Sequence, residues 1–121
     1  MSELTIQRQL TKAFIDTMPV TLVLTPRTKV PTDIGGFTWQ EEEPRLPQVL
    51  RFVELDTSRP NDPIRTQDGI ERRADFMLIG EWDAIIEVND IFTYDGDSFT
   101  VIEMYYDNGW EVRAKVARHG G

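Results

Sequence analysis

The stretch Ile91–Arg118, IFTYDGDSFTVIEMYYDNGWEVRAKVAR, decides the fold class. Two turn sequences, Asp95–Ser98 and Asp107–Gly109, divide it into three segments with the composition of strands. We expect positive φ at both residues of the Asn-Gly pair at 108–109, which favours a tight hairpin turn. The pattern predicts a meander of three antiparallel strands, one wall of a small barrel or sandwich. On the last strand an apolar face alternates with a charged face: Trp110, Val112, Ala114 and Val116 against Glu111, Arg113 and Lys115.

Three segments upstream of the meander also have the alternation and composition of strands. Val20–Thr25 ends at a proline, Val49–Leu55 follows, and Arg73–Ile79 is almost entirely apolar from Phe76 onward. An uninterrupted apolar run predicts a central strand that is covered on both faces. We therefore predict a mainly β fold, a small antiparallel β-barrel or β-sandwich.

A single helix is predicted over Leu4–Thr17, ahead of the first strand. Ser2 is a suitable N-cap, and Pro19 limits the helix because the residue before a proline avoids helical backbone angles. A chain of 121 residues with one helix and one set of strands predicts a single domain, residues 1–121. The apolar residues of the helix fall on one helical face: Ile6, Leu10, Ala13 and Phe14.

Composition limits the classes of function. Apolar residues make up 40% and charged residues 28% of the chain, the balance of a globular domain. No stretch approaches the roughly 20 apolar residues of a membrane-spanning helix, so we expect no membrane partner. The lack of cysteine excludes disulfides and thiolate metal sites and fits a reducing compartment.

Charge is unevenly distributed along the chain. The formal net charge is -8, and the stretch Asp75–Glu111 contains ten acidic residues but no lysine or arginine. DNA binding depends on phosphate neutralisation by Lys and Arg, so this composition argues against it. An acidic surface can still let DNA pass without adhering, or it can simply keep a protein in solution.

Two connections are longer than turns require. The first, 26–48, is a proline-rich loop between the first two strands that holds Gly35 and Gly36 and the aromatic residues Phe37 and Trp39. Loops beyond about 12–15 residues are usually functional or disordered. Because large aromatic side chains are costly to expose, we expect these two to contact a partner, with packing on the domain's own core as the alternative.

The second connection, 56–72, has the composition of a loop and is the more basic part of the chain. Arginines in or beside it can pair with the acidic half of a neighbouring copy. Such a head-to-tail contact closes into a ring where the rotation between subunits allows. Plain solvation of the same side chains is the alternative. The predicted subunit contacts are Arg59, Arg65, Arg72 and Arg73.

No constellation of residues predicts catalysis. The single histidine, His119, stands in a glycine-bearing tail, so nucleophile–histidine systems lack a base. Asp90, Asp95 and Asp97 lack the ligand spacing of a calcium loop, and turn chemistry explains the pair around Gly96 better. We predict no enzyme activity, no cofactor and no metal. A hydrolase with paired carboxylates is the alternative, because 21 acidic residues offer many pairs.

Several segments resemble, in order, the head-to-tail stopper proteins (head closure or head completion proteins) of tailed phages, of the siphovirus type that infects actinobacteria. Each motif is weak alone, and it is their order and spacing along nearly the whole chain that carry the resemblance. The segments are Thr25–Val30, Gly35-Gly36, Pro44–Gln48, Phe76–Ala84, Val88–Phe92 and Tyr105–Ala114.

The resemblance implies a structural protein of the virion neck, made in the cytoplasm of the host bacterium. Such proteins form a homo-oligomeric ring below the portal or adaptor, retain the packaged genome, and provide the docking surface for the tail terminator and tail tube. Double-stranded DNA passes through the lumen without sequence-specific binding. The loop 26–48 would reach the channel, where negative charge lowers friction with DNA phosphate. The residues of this channel or partner loop are Gly35, Gly36, Phe37, Trp39, Glu41, Glu42 and Glu43.

Two other assignments stay open. The resemblance also fits a different neck protein, an adaptor or a tail terminator. A protein of another class, a stand-alone β-barrel binding module, would use Phe37 and Trp39 to hold a peptide or a sugar.

Overall fold

The computed structural model describes residues 2–55, 64–65, 71–72 and 74–118. It has the predicted architecture, mainly β with one N-terminal helix. The helix, α1, spans Glu3–Asp16. The strands within the described residues are β1 Val20–Leu22, β2 Arg27–Pro31, β3 Phe37–Glu41, β4 Gln48–Glu54, β5 Ile64–Arg65, β6 Glu71–Arg72, β7 Phe76–Glu81, β8 Ile91–Tyr94, β9 Asp97–Asp107 and β10 Glu111–Arg118.

One six-stranded antiparallel sheet forms the scaffold, with the strand order β1-β4-β7-β10-β9-β8. Its edges meet just after β1, where Thr25 forms a β-bridge with Ile91 at the start of β8. Each of the two residues donates its backbone N–H to the carbonyl oxygen of the other, at 2.8 and 2.9 Å. The sheet is therefore a nearly closed barrel, which protects its edges from pairing with other chains.

The meander predicted over Ile91–Arg118 is confirmed as β8, β9 and β10. Asp95 and Gly96 form its first turn, with φ of 52° and 83°, as a two-residue hairpin turn requires. This turn is shorter than predicted, because Asp97 and Ser98 already pair with β8.

The second turn of the meander differs from the prediction. Gly109 has a φ of 94°, but Asn108 does not share the positive φ that was expected of it. The Asn108 side chain instead organises the turn, since its Oδ1 accepts the backbone N–H groups of Trp110 and Glu111 at 3.3 and 3.1 Å. A local side-chain hydrogen bond thus replaces the two-residue turn geometry.

The interior of the barrel is apolar. Val112, Ala114 and Val116 of β10 are buried, which confirms the predicted alternation. The strand β7 lies between β4 and β10, and its neighbours Leu78 and Ile79, which point to opposite faces of the sheet, are both buried. The prediction of a central strand covered on both faces is confirmed. Phe52 lies at the centre of an aromatic cluster, with centroid distances of 4.7 to 5.6 Å to Phe76, Phe92, Tyr94 and Phe99.

Gly80 lets β7 pack closely against the turn that follows it. A Cβ atom on Gly80 would lie 2.5 Å from the Cβ of Ala84 and 2.9 Å from Cδ2 of Leu50, closer than side chains pack. We expect Gly80→Ala to lower the free energy of unfolding by about 1–3 kcal/mol, the cost of overpacking a core. Urea denaturation measures the loss. In a double-mutant cycle with Ala84→Gly the two changes should compensate each other, and simple additivity would contradict the contact.

The helix begins at the predicted N-cap, since the Ser2 hydroxyl accepts the backbone N–H of Thr5 at 3.1 Å. It packs on β4 and β7. Two arginines hold it there. Arg8 Nε donates to the Gly109 carbonyl oxygen at 2.9 Å, and Arg51 Nη1 donates to the carbonyl oxygen of Phe14, in the last turn of the helix, at 3.0 Å.

The side of α1 that packs against the barrel is not the apolar side that the sequence predicts. The buried residues of the helix are Thr11 and Ile15. The two arginine contacts, one from the middle of the helix and one in its last turn, fix the rotation of the helix about its axis, and side-chain periodicity alone does not show this. The four residues of the apolar face are all exposed: Ile6, Leu10, Ala13 and Phe14.

The connection 26–48 is long, as predicted, but most of it is not a loop. Arg27–Pro31 and Phe37–Glu41 pair as an antiparallel hairpin that forms a separate two-stranded sheet. We name residues 27–41 the arm. The hairpin within this connection was not predicted, because the prolines of the segment favoured a loop and the hairpin tolerates them. Pro31 ends an edge strand, where no backbone N–H is needed, and the other prolines flank the hairpin.

The connection 56–72 carries the predicted subunit contacts. Its described parts are the strands β5 and β6, which pair with each other. Arg65 lies on β5 and Arg72 on β6, whereas Arg59 and Arg73 lie outside the described residues. A role of these arginines between subunits stays a prediction.

Candidate functional site

The candidate site is the arm, a hairpin inserted between β1 and β4. The pairing of Arg27 with Glu41 marks its base, and the pairing of Pro31 with Phe37 marks the end next to the turn. Among the described strands, β2 and β3 pair only with each other. The arm is therefore an addition to the barrel and not a part of its wall.

The turn at the tip of the arm is held by one threonine and two glycines. Thr32 donates its backbone N–H to the Gly36 carbonyl oxygen at 3.2 Å and its hydroxyl to the Gly35 carbonyl oxygen at 2.6 Å. Gly35 and Gly36 have φ of 83° and 78°, which other residues adopt only at a cost. The turn presents Ile34, which is 96% exposed. This side chain is free of the barrel core and is accessible to a partner.

On one face of the arm, cationic side chains of β2 lie against aromatic side chains of β3. The rings of Phe37 and Trp39 meet edge to face, with centroids 5.4 Å apart. The Arg27 guanidinium lies 4.4 Å from the Trp39 ring centroid, and the Lys29 ammonium lies 3.9 Å from that of Phe37. The two predicted aromatic residues are thus brought together. They pack on their own hairpin, and neither belongs to the core clusters of the barrel.

Removal of the Trp39 ring should loosen the arm and leave the barrel intact. Trp39→Ala deletes one cation–π contact and one ring pair, each worth about 0.5–1 kcal/mol. We therefore expect backbone amides of the arm to exchange with solvent about tenfold faster, as measured by hydrogen exchange. Thr38→Ala, on the opposite face of β3, is the matched control. Faster exchange throughout the barrel, or none in the arm, would show that the face does not stabilise the hairpin.

The three predicted carboxylates, Glu41, Glu42 and Glu43, lie at the base of the arm and are all exposed. Glu42 Oε1 accepts the hydroxyl of Thr28 at 2.6 Å, and its backbone N–H donates to the Pro26 carbonyl oxygen at 2.8 Å. These three carboxylates therefore stand where the arm meets the barrel, whereas the tip presents Ile34 beside the single carboxylate of Asp33.

A buried ion pair anchors the chain where it leaves the arm. The Asp90 side chain is 1% exposed and accepts Nε and Nη2 of Arg45 at 3.0 and 3.2 Å. Asp90 also accepts the backbone N–H of Glu87 at 3.1 Å, and the Glu87 carboxylate lies 3.4 Å from Arg45. The hydrogen bond to Asp90 raises the pKa of Arg45 above its already high ordinary value. Arg45 therefore stays charged.

The chain that enters the arm is fixed to the same loop, residues 87–91, which we name the anchor loop. Arg27 Nε donates to the Asn89 carbonyl oxygen at 2.9 Å. Asn89 is itself buried, with a φ of 79°. The bridge between Thr25 and Ile91 lies at the end of the same loop. Both legs of the arm are therefore attached to a single short segment of the barrel.

Sequence reasoning missed the anchoring role of Arg45, Asp90 and Asn89. These residues stand in two of the segments that carry the resemblance, Pro44–Gln48 and Val88–Phe92. Their spacing along the chain gives no sign that they meet in space. The sequence did contain one signal, because Asp90 directly precedes the apolar pair Ile91-Phe92. A carboxylate that is buried among apolar side chains needs a charged partner.

A groove of about 640 Å³ opens between the segments 43–50 and 81–85. Gln48 joins its walls, since its side-chain amide donates to the Ile85 carbonyl oxygen at 2.9 Å and accepts the Ile85 N–H at 2.8 Å. Within the described part of the chain, no group of three or more His, Asp or Glu side chains could hold a metal ion. The lining is partly apolar and partly acidic: Leu46, Val49 and Ile85 with Glu43, Glu81 and Asp83.

The fold and the arm define a class: a small barrel of antiparallel strands with one helix outside it and an anchored hairpin inserted between its first two strands. Protein-family models gave no match to the chain, and no curated protein matches its sequence. Among the described helical residues, no helix has the length and apolar character needed to span a bilayer.

Proposed function

We propose that this chain is a non-enzymatic structural protein of a phage neck, a head-to-tail stopper that forms a homo-oligomeric ring below the portal or adaptor. The observation that carries the proposal is the arm. It is set apart from the barrel, is anchored on both legs, exposes Ile34 at its tip and is acidic at its base. The ordered segments that resemble stoppers support the same assignment.

The arm has the features of a channel element. In a ring, the tips of neighbouring arms would meet in the lumen, and Ile34 would contact its copies there, since an exposed apolar side chain is stabilised when it leaves water. Glu41, Glu42 and Glu43 would repel DNA phosphates at the base of each arm. Closed tips would retain the genome, and the carboxylates would let it slide during ejection.

We assign the subunit contacts of the ring to the arginines in and beside the connection 56–72. Arg59, Arg65, Arg72 and Arg73 would face the acidic half of the adjacent copy, Asp75–Glu111. Such a contact joins two different surfaces, which is the arrangement that generates a ring. The portal or adaptor would lie above this ring and the tail terminator below it.

The exposure of the acidic side chains that line the groove favours a structural role over hydrolysis. A catalytic carboxylic acid is usually tuned by removal from water, whereas Glu43 and Asp83 of the groove are exposed and Glu81 is half-buried. A stand-alone binding module is disfavoured by the arm itself. One face of each aromatic ring is already occupied by a cation of the same hairpin, which reduces the stacking surface open to a sugar or peptide.

Reconstitution tests the proposal. Purified protein is added to DNA-filled, tailless heads from a phage that lacks it, and the heads are treated with DNase and imaged by electron microscopy. We expect a ring at the portal vertex and protection of the genome. A variant with Arg65→Glu and Arg72→Glu should bind the vertex less well. Heads that remain open to DNase at saturating protein, with no added density, would overturn the assignment.

A further inference from the structure

The helix carries an apolar stripe that the barrel does not cover. Ile6, Leu10 and Phe14 recur every four residues along one side of α1 and are 41 to 60% exposed, with Leu10 the most exposed. The helix is attached through another side, where Thr11 and Ile15 are buried. An amphipathic helix normally packs through its apolar stripe, so this stripe has the properties of a contact surface.

The stripe is symmetric about Leu10. Ile6 and Phe14 lie four residues before and after it, and Glu3 and Thr17 lie seven residues before and after it on the same line of the helix. The two halves therefore have the same spacing of apolar side chains, with isoleucine in one half and phenylalanine in the other, and they differ in charge.

The charges at the two ends of the stripe are opposite. Glu3 is an exposed carboxylate in the first turn. At the other end, Arg51 donates to the carbonyl oxygen of Phe14 and to the hydroxyl of Thr17, and its guanidinium lies 4.2 Å from the Phe14 ring centroid. A surface that is acidic at one end, apolar in the middle and basic at the other end is complementary to itself when reversed.

We propose that the stripe binds the stripe of a second copy of this chain, in an antiparallel helix pair with two-fold symmetry. Leu10 would pack on Leu10 of the second copy, Ile6 on its Phe14, and Glu3 would face its Arg51. The antiparallel order pairs opposite charges and opposes the two helix dipoles, whereas a parallel order would place like charges together. Side chains four residues apart form the ridges that interdigitate in the commonest helix crossing.

This inference does not rest on the proposed function. A two-fold contact joins the same patch on both subunits and cannot be repeated around a single ring. We therefore assign the dimer to the free protein, and a ring would close through other surfaces.

Disulfide trapping tests the pair, because the chain contains no cysteine of its own. Leu10→Cys places both thiols on the two-fold axis, so mild oxidation should convert most of the protein to a covalent dimer. Ile6→Cys alone should not be trapped, since eight residues of rise separate the two copies by about 12 Å, beyond disulfide reach. A mixture of Ile6→Cys and Phe14→Cys chains should form the mixed dimer. Gln9→Cys, exposed but off the stripe, is the matched control.

Each outcome of the trapping experiment either supports or overturns the proposed helix pair. Equal trapping of Leu10→Cys and Gln9→Cys would overturn the pair, and efficient trapping of Ile6→Cys alone would show a parallel arrangement and overturn the proposed symmetry. Sedimentation gives a second measurement without oxidation. The native protein should be dimeric, and Leu10→Glu should raise the dimer Kd about 30-fold or more while the circular dichroism spectrum stays unchanged. A native protein that remains monomeric up to millimolar concentration would also overturn the inference.

Discussion

Arg45→Met should lower the free energy of unfolding by about 3–5 kcal/mol, the cost of breaking a buried ion pair by removing one partner. The variant keeps much of the aliphatic stem but removes the guanidinium that donates two hydrogen bonds to Asp90. The Asp90 carboxylate is 1% exposed. Among the described residues, it would then keep only the hydrogen bond from the backbone N–H of Glu87. Because small domains are stable by only about 5–15 kcal/mol, a large part of the total would be lost.

Urea denaturation and thermal melting measure this loss. The double variant Arg45→Met, Asp90→Leu should recover most of it, because replacing both partners of a buried ion pair by apolar side chains leaves no unpaired charge. Lys12→Met is the control. It removes a 2.9 Å ion pair with Asp16 on the exposed side of the helix, and it should leave the urea midpoint almost unchanged, because exposed ion pairs contribute little to stability. Equal effects of Arg45→Met and Lys12→Met would contradict the anchoring role of the buried pair.

If the chain is a phage stopper, as proposed, simultaneous substitution of Glu41, Glu42 and Glu43 by lysine should reduce the infectivity of that phage by several orders of magnitude. The change replaces three negative charges by three positive ones at the base of every arm. If the arms line the channel, a ring of cations would hold DNA phosphates there by ion pairing. The genome would then be packaged and retained but ejected slowly.

Plaque titre and the rate of DNA release from purified virions measure this effect. The matched variant carries glutamine at the same three positions, which removes the charge without reversing it, and it should lose far less titre. All three side chains are exposed, so both variants should fold and assemble. A normal titre for the lysine variant would contradict the placement of the arm base in the channel.

Hydrophobic patterning was enough to predict the scaffold. The meander was found from alternating residues such as Val112 and Ala114, because a face buried in a barrel must be apolar at every second position. The central strand β7 was found from an uninterrupted apolar run that includes Leu78. Turn chemistry was less reliable. Asp95-Gly96 formed the expected kind of turn, whereas the Asn108 side chain found hydrogen bonds that the dipeptide rule does not consider.

The arrangement of the functional surfaces could not be predicted in the same way. The arm was predicted as a loop because prolines outweighed its strand residues, although Gly35 and Gly36 were correctly singled out and shape its tip. The anchor depends on Arg45 and Asp90, which lie 45 residues apart and meet only when the barrel closes. The exposed face of α1 depends on where the helix docks, and no local pattern contains that information.

The central claim is that the chain is a ring subunit whose arm lines the neck channel. Cryo-electron microscopy of the neck of mature virions tests it most directly, with the density interpreted by fitting the barrel and its helix. We expect a closed ring of copies between portal and tail. In each copy, residues 27–41 should point at the ring axis, with Ile34 nearest to it. A neck without this chain, or a ring whose arms point away from the channel, would contradict it.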